Sequence, residues 1–256
     1  MKTAGFLNTI HGTINRRVLL NYRIDPAALK GVLPRPFVPK LHGGYGIGGV
    51  CMIRFQGLRP RGVPAWLGLG SENAAHRVAV CWTQDGETRE GVYIPRRDTD
   101  SWFNKMLGGR VFPGIFNRGR FTADESSDRV RVAVRSRDGE TAIAFAGRAA
   151  ERLPEDSVFA DTDAAAGFFS LGATGYSATR QEGRFHGMEL HSLDWRVSPL
   201  AIEQEHSSFF DDRERFPPGS IEPDCALLMR NIAHEWRSRP DLYTSETREE
   251  LVTQKA

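Results

Sequence analysis

Lysine is scarce in this 256-residue chain: it occurs only at Lys2, Lys30, Lys40, Lys105 and Lys255, so nearly all of the positive charge is carried by arginine. The net charge is +2 and no block of one sign occurs, which leaves no electrostatic footprint for nucleic acid or a membrane surface. No stretch approaches the roughly 20 apolar residues that a spanning helix needs. The first residues, Met1 to Leu7, show neither a continuous apolar run nor a small-residue cleavage pattern, so a secretory signal is not expected. Cysteine is sparse too. Cys51, Cys81 and Cys225 are odd in number, far apart and set in apolar runs, which suits reduced thiols better than disulfides. A soluble protein of a bacterial-type cytoplasm is the expectation.

Several site types are missing as well. Gly43-Gly44-Tyr45-Gly46-Ile47-Gly48-Gly49 is glycine-rich but lacks the lysine and the strand–loop–helix setting of a phosphate loop, so it reads as sheet curvature. No Gly-x-Ser-x-Gly elbow occurs. His186 and His191 would face opposite ways on a strand, and His206 and His234 have no carboxylates at ligand spacing, so neither a metal site nor a cofactor is expected.

What is present is mostly β-pattern. Thr13 to Ile24 reads as a strand, and Asp25-Pro26-Ala27-Ala28-Leu29 opens a short helix with an acidic N-cap and proline at its first position. Tyr45 to Leu58 reads as a bent strand, closed by a Pro/Gly-rich loop from Arg59 to Gly70. Asp85-Gly86 joins two strands, Ala75 to Thr83 and Thr88 to Ile94, and Asp138-Gly139 joins two more. Thr99 to Leu107 has helical spacing, with Trp102, Phe103, Met106 and Leu107 on its apolar side. A helix over Asp163 to Leu171 and strands at Gly175 to Arg180, Arg184 to Val197 and Leu200 to Gln204 follow. The five tryptophans, Trp66, Trp82, Trp102, Trp195 and Trp236, are expected in the core or a cavity wall. With no composition shift or repeat, residues 1–240 read as one mainly β domain with a few short helices, and 241–256 as a polar tail.

Three segments, in this order, resemble acetoacetate-decarboxylase-like proteins. They are Tyr22-Arg23-Ile24-Asp25-Pro26-Ala27-Ala28-Leu29-Lys30-Gly31-Val32-Leu33-Pro34, then Ser71-Glu72-Asn73 leading into Arg77-Val78-Ala79-Val80, then Gly109-Arg110-Val111-Phe112-Pro113-Gly114-Ile115-Phe116-Asn117-Arg118. The resemblance implies an antiparallel cone- or barrel-like sheet enclosing a small-molecule pocket. It also implies a difference in chemistry, because the parent enzymes form an imine through a lysine whose pKa a second lysine depresses. Here the first position falls on Asn117, or on Phe116 if the register slips by one, and the second on Arg118. An amide cannot attack a ketone and an arginine stays protonated, so imine catalysis is not expected unless Lys105 reaches the same pocket.

By the same resemblance Glu72 is a candidate acid or base, with a solvated loop end as its alternative. Arg16, expected inward with Arg17 outward, is a candidate carboxylate binder. His76 and Arg120 are further candidates, although an isolated strand histidine is more often a satisfied polar residue and Arg118 and Arg120 are equally readable as exposed strand arginines. Two functions stand at this stage. One is an enzyme or enzyme-like binder, lyase- or hydrolase-like, for an organic acid or carbonyl compound; the other is a non-catalytic barrel for an apolar ligand. A homo-oligomer is compatible with either.

Overall fold

The computed structural model describes residues 9–60, 62–102, 114–192 and 195–244. They form one continuous 13-stranded sheet with two helices. Strands β1 (Thr9–Ile24), β4 (Tyr45–Pro60), β5 (Leu69–Gln84), β6 (Glu87–Thr99) and β13 (Ile221–Tyr243) make up its spine, in the order β13-β1-β4-β5-β6. Helix α1 (Pro26–Val32) follows β1, with the Asp25 carboxylate accepting from the Ala27 N–H as its cap. Two short pairs, β2 (Val38–Pro39) and β3 (Leu41–His42), lead into β4.

Two further sets of strands connect the ends of this spine, so that it is shared by two rings of hydrogen-bonded strands. On one side β7 (Phe116–Glu125), β8 (Arg129–Ser136), β9 (Ala142–Ala149) and β12 (Ser198–Ser207) run from β6 back to β13. On the other, β10 (Thr174–Ala178) and β11 (Arg184–Ser192) do the same, preceded by helix α2 (Thr162–Leu171). A shared strand has no solvent face. Val18, Leu20, Tyr22 and Ile24 of β1 pack in one buried cluster, while Ile14 and Leu19 pack in another. This is why Val18-Leu19-Leu20 is apolar without alternation.

The turn at Asp85-Gly86 has both residues at positive φ, 52° and 80°, and closes the antiparallel β5–β6 hairpin. Asp138-Gly139 closes β8–β9 likewise. Gly49 explains part of the glycine-rich run: a Cβ there would lie 2.1 Å from the Leu20 carbonyl oxygen, so β4 and β1 approach only because it is absent.

Several expectations are corrected. The sheet is mixed, because β6 pairs in parallel with both β7 and β10. Chain segments of more than a dozen residues precede both partners, which gives room for the crossovers that parallel pairing needs. Strand β5 begins at Leu69 and takes in residues expected to be loop, so Glu72 lies within a strand rather than at its entry. Thr99 ends β6 instead of starting a helix, and Trp102 is 60% exposed rather than on a buried stripe; Phe103 to Leu107, with Lys105, lie outside the described residues. Trp66 is also exposed, at 80%. The final strand continues through Leu242, which is buried, to Tyr243, past the point where the polar tail was expected to begin. Among the described residues, no helix is long and apolar enough to cross a membrane.

Candidate functional site

Arg16 and Arg17 are adjacent on β1 and, by strand alternation, enter different rings. Arg16 is fully buried, as an inward-facing residue should be. Its guanidinium is already paired: Nη2 donates to Glu72 at 2.5 Å and Nη1 to Glu125 at 2.7 Å. Arg54 reaches the same two carboxylates at 2.6 and 2.8 Å, and Arg230 reaches Glu125 at 2.7 Å. Burial works against the Glu125 carboxylate, but hydrogen bonds from Arg16 and Arg230 outweigh it and hold the acid below its usual range. Glu72 and Arg16, two of the candidate residues, are therefore brought together, but each neutralises the other in a closed ionic lattice.

The remaining predicted residues are scattered. His76 is buried between Phe209 and Phe210, its Nε2 sits 3.1 Å from Ser207 Oγ, and burial together with Arg96 and Arg215 lowers its pKa to about 3. It is a neutral core side chain. Asn117 donates from Nδ2 to the Arg97 carbonyl at 3.2 Å. Arg118 is half-buried with no partner on its Nε, and Arg120 is exposed. No group of three or more His, Cys, Asp or Glu among the described residues is placed to hold a metal ion.

Arg17, expected outward, instead lines a cavity of about 90 Å³ in the other ring, because the second face of β1 is interior too. That volume holds several waters or a small organic molecule. Its walls include Ile53, Phe55, Ile94, Leu190, Trp195 and Trp236, and three arginines point in from three strands: Arg17 of β1, Arg77 of β5 and Arg97 of β6. Arg17 Nε donates to Cys51 Sγ at 3.3 Å, and the guanidinium lies 5.2 Å from the Trp195 ring centre. Arg77 is 4% exposed, donates to Asn21 Oδ1, stands 4.7 Å over Phe169, and leaves its Nε without a partner. Arg97 donates to Ser177 Oγ at 3.0 Å and stands 5.6 Å over Phe116.

Burial lowers Arg77 and Arg97 to about 10, so both stay protonated at neutral pH. No aspartate or glutamate among the described residues lines the cavity, and the only attractive electrostatic partners of Arg77 are Cys51 and Cys225, and of Arg97 Cys51. Three arginines thus line an apolar cavity in which, among the described residues, no carboxylate compensates them. Elsewhere Arg23 pairs with Glu222, Arg96 with Asp98, and Arg184 with Asp241. Aromatic faces and thiols supply part of the missing stabilisation.

Arg77 and Arg97 escaped the sequence reading. The signal for Arg77 was its setting: Ala74, Ala75, Val78, Ala79 and Val80 surround it, so a strand with two buried faces carries a cation in its middle. Arg97 had no such mark, lying in Arg96-Arg97-Asp98.

The double ring of strands has the acetoacetate-decarboxylase-like fold, and in this chain one ring holds an arginine-lined cavity. Residues 11–231 match the DUF2071 family, described as an uncharacterized conserved protein, and the chain belongs to that family. In three dimensions it is similar to an acetoacetate-decarboxylase-like enzyme from Sphingomonas wittichii, with a TM-score of 0.57 at 13% identity over 93% of each chain. The acetoacetate decarboxylase of Legionella pneumophila superposes with a TM-score of 0.55 at 12% identity, covering 94% of this chain and 93% of that one. The enduracididine biosynthesis enzyme MppR, in complex with pyruvate, superposes with a TM-score of 0.52 at 11% identity, covering 92% and 89%. No curated protein matches in sequence.

Proposed function

We propose that this protein binds a small organic acid in the Arg17–Arg77–Arg97 cavity, as an enzyme or enzyme-like binder that does not use imine chemistry. The observation that carries the reading is the trio of guanidiniums with no carboxylate among the described lining residues. Leaving a charge uncompensated in a dry interior costs several kcal/mol, a cost that a bound carboxylate removes. The apolar remainder of the wall favours an acid with a hydrocarbon or carbonyl body over a highly polar one. A fold relative bound to pyruvate agrees with this ligand class. The lining residues described include no lysine, so an imine would have to come from Lys2, Lys105 or Lys255, which lie outside the described residues. Free cysteines, two of them buried, fit a reducing bacterial cytoplasm. We read the double ring as one domain.

The test is isothermal titration calorimetry with pyruvate, acetoacetate and butyrate, each against its neutral amide or methyl ester. Saturable binding of an acid, with the neutral counterpart at least tenfold weaker, is expected. Equal binding of acid and neutral form would favour the rival reading, a binder of apolar ligands. Imine chemistry is tested separately by borohydride reduction in the presence of acetoacetate, which should leave the intact mass unchanged.

A further inference from the structure

One polar group in the cavity is not a cation. Cys51 lies in the middle of β4, lines the space, and is 8% exposed. Its Sγ accepts from Arg17 Nε at 3.3 Å, and it interacts electrostatically with both Arg77 and Arg97. The other two cysteines are placed differently. Cys225 is fully buried, does not line the cavity, accepts from Asn21 Nδ2 at 3.4 Å, and burial pushes its pKa up. Cys81 is only partly buried, away from the cavity, and burial and Glu90 push its pKa up as well. Cys225 also interacts with Arg77, but of the three thiols Cys51 alone lines the cavity space. Arg77 lines the same space at 4% exposure and keeps its Nε without a partner, although its Nη2 donates to Asn21 Oδ1.

Thiolates, not thiols, attack electrophiles. A carboxylate held by the guanidiniums would bring its adjacent carbon close to Sγ, converting a bimolecular encounter into a positioned one. We infer that Cys51 is the nucleophile of this cavity, directed at small acids whose electrophilic carbon adjoins the carboxylate; this rests on the carboxylate reading above. With an α-keto acid the step is a reversible addition. The S–C bond forms, the carbonyl π pair moves to oxygen, and the thiol proton ends on that oxygen as a hemithioketal. No oxidant or second reactant is required.

Iodoacetate and iodoacetamide test this, since they differ in the carboxylate alone; alkylation forms S–C, breaks C–I, releases iodide and gives the thiol proton to solvent. The native full-length protein is treated with each reagent, and the rates at Cys51, Cys81 and Cys225 are read by peptide mass mapping. Iodoacetate should alkylate Cys51 at least tenfold faster than iodoacetamide does, while Cys81 shows no such preference, and Arg77→Gln should abolish the preference at Cys51. A Cys51 that stays unmodified in the native protein, or that reacts at least as fast with iodoacetamide, overturns the inference. Calorimetry on Cys51→Ala separates the two levels: retained acid binding with an unreactive Cys51 refutes only the nucleophile, whereas loss of acid binding in the wild-type protein refutes the carboxylate site itself.

Discussion

Arg16 and Arg17 are neighbours on one strand, identical in chemistry, and both face protein interior, yet their surroundings are opposite. On the Arg16 side, three arginines meet two glutamates, and Glu72 and Glu125 each accept from two or three guanidiniums. On the Arg17 side three arginines meet aromatic rings, two sulfurs, a serine hydroxyl and an asparagine amide, with no carboxylate among the described residues that line the cavity. The difference separates a charge cluster satisfied within the protein from one that the proposed acid would complete. A satisfied lattice stabilises the sheet and leaves nothing for a ligand, while an unsatisfied set keeps its capacity for a ligand at the expense of stability.

The comparison breaks most visibly if either side is stripped of one member. Glu125→Ala removes the shared acceptor of Arg16, Arg54 and Arg230 and leaves Arg16 short of a partner at zero exposure, so the protein should lose about 3 kcal/mol in urea unfolding. Arg77→Met does the reverse. It replaces an uncompensated buried cation with an apolar chain, so stability should hold or rise by about 1 kcal/mol while acid affinity falls tenfold or more, about 1.4 kcal/mol. If instead Arg77→Met unfolded the protein and Glu125→Ala did not, the roles of the two sides would be exchanged.

Acid sharpens the same contrast. The folded pKa of His76 is lowered to about 3 and that of His234 to about 4, mainly by burial. A group with a depressed folded value contributes stability that is complete above its unfolded pKa, near 6.5, and is lost as pH falls toward the folded one. Unfolding free energy should therefore drop between about pH 6 and pH 4, by up to roughly 1.4 kcal/mol per pH unit for each histidine. Glu125 adds a loss below about pH 4.5, because its folded carboxyl is also held low. Urea unfolding as a function of pH measures both, and His76→Gln should flatten the upper part of the curve. The smallest effect belongs to Arg120→Ala: an exposed strand arginine should change stability by less than about 0.5 kcal/mol and acid binding not at all.

Much of the fold was legible locally. The Asp-Gly turns, the capped α1 and the helix near Asp163 announce themselves through residues whose backbone preferences act within a few positions. The long β13 did not, because it is punctuated by Pro223 and Pro240 and owes its length to pairing with β1, β11 and β12 from across the chain. Sharing of strands between two rings was equally invisible. For that reason the alternation argument sorted Arg16 from Arg17 correctly but took one of the two faces for solvent. The resemblance to the decarboxylase-like fold pointed to the right architecture, yet the residues it nominated, Glu72, Arg16, His76, Asn117, Arg118 and Arg120, do not converge on the arginine cavity. Arg77 and Arg97 become candidates only when the absence of carboxylates around them is visible, and that is a property of the packing, not of the local sequence.

The central claim is that the Arg17 side is an anion site because its charge is uncompensated. A crystal structure grown with pyruvate tests it most directly. The account predicts a carboxylate within hydrogen-bonding distance of at least two of the Arg17, Arg77 and Arg97 guanidiniums, with the Arg16 lattice unchanged. A cavity holding only an apolar molecule or water at saturating pyruvate, or an anion seated instead between Arg16 and Arg54, would contradict it.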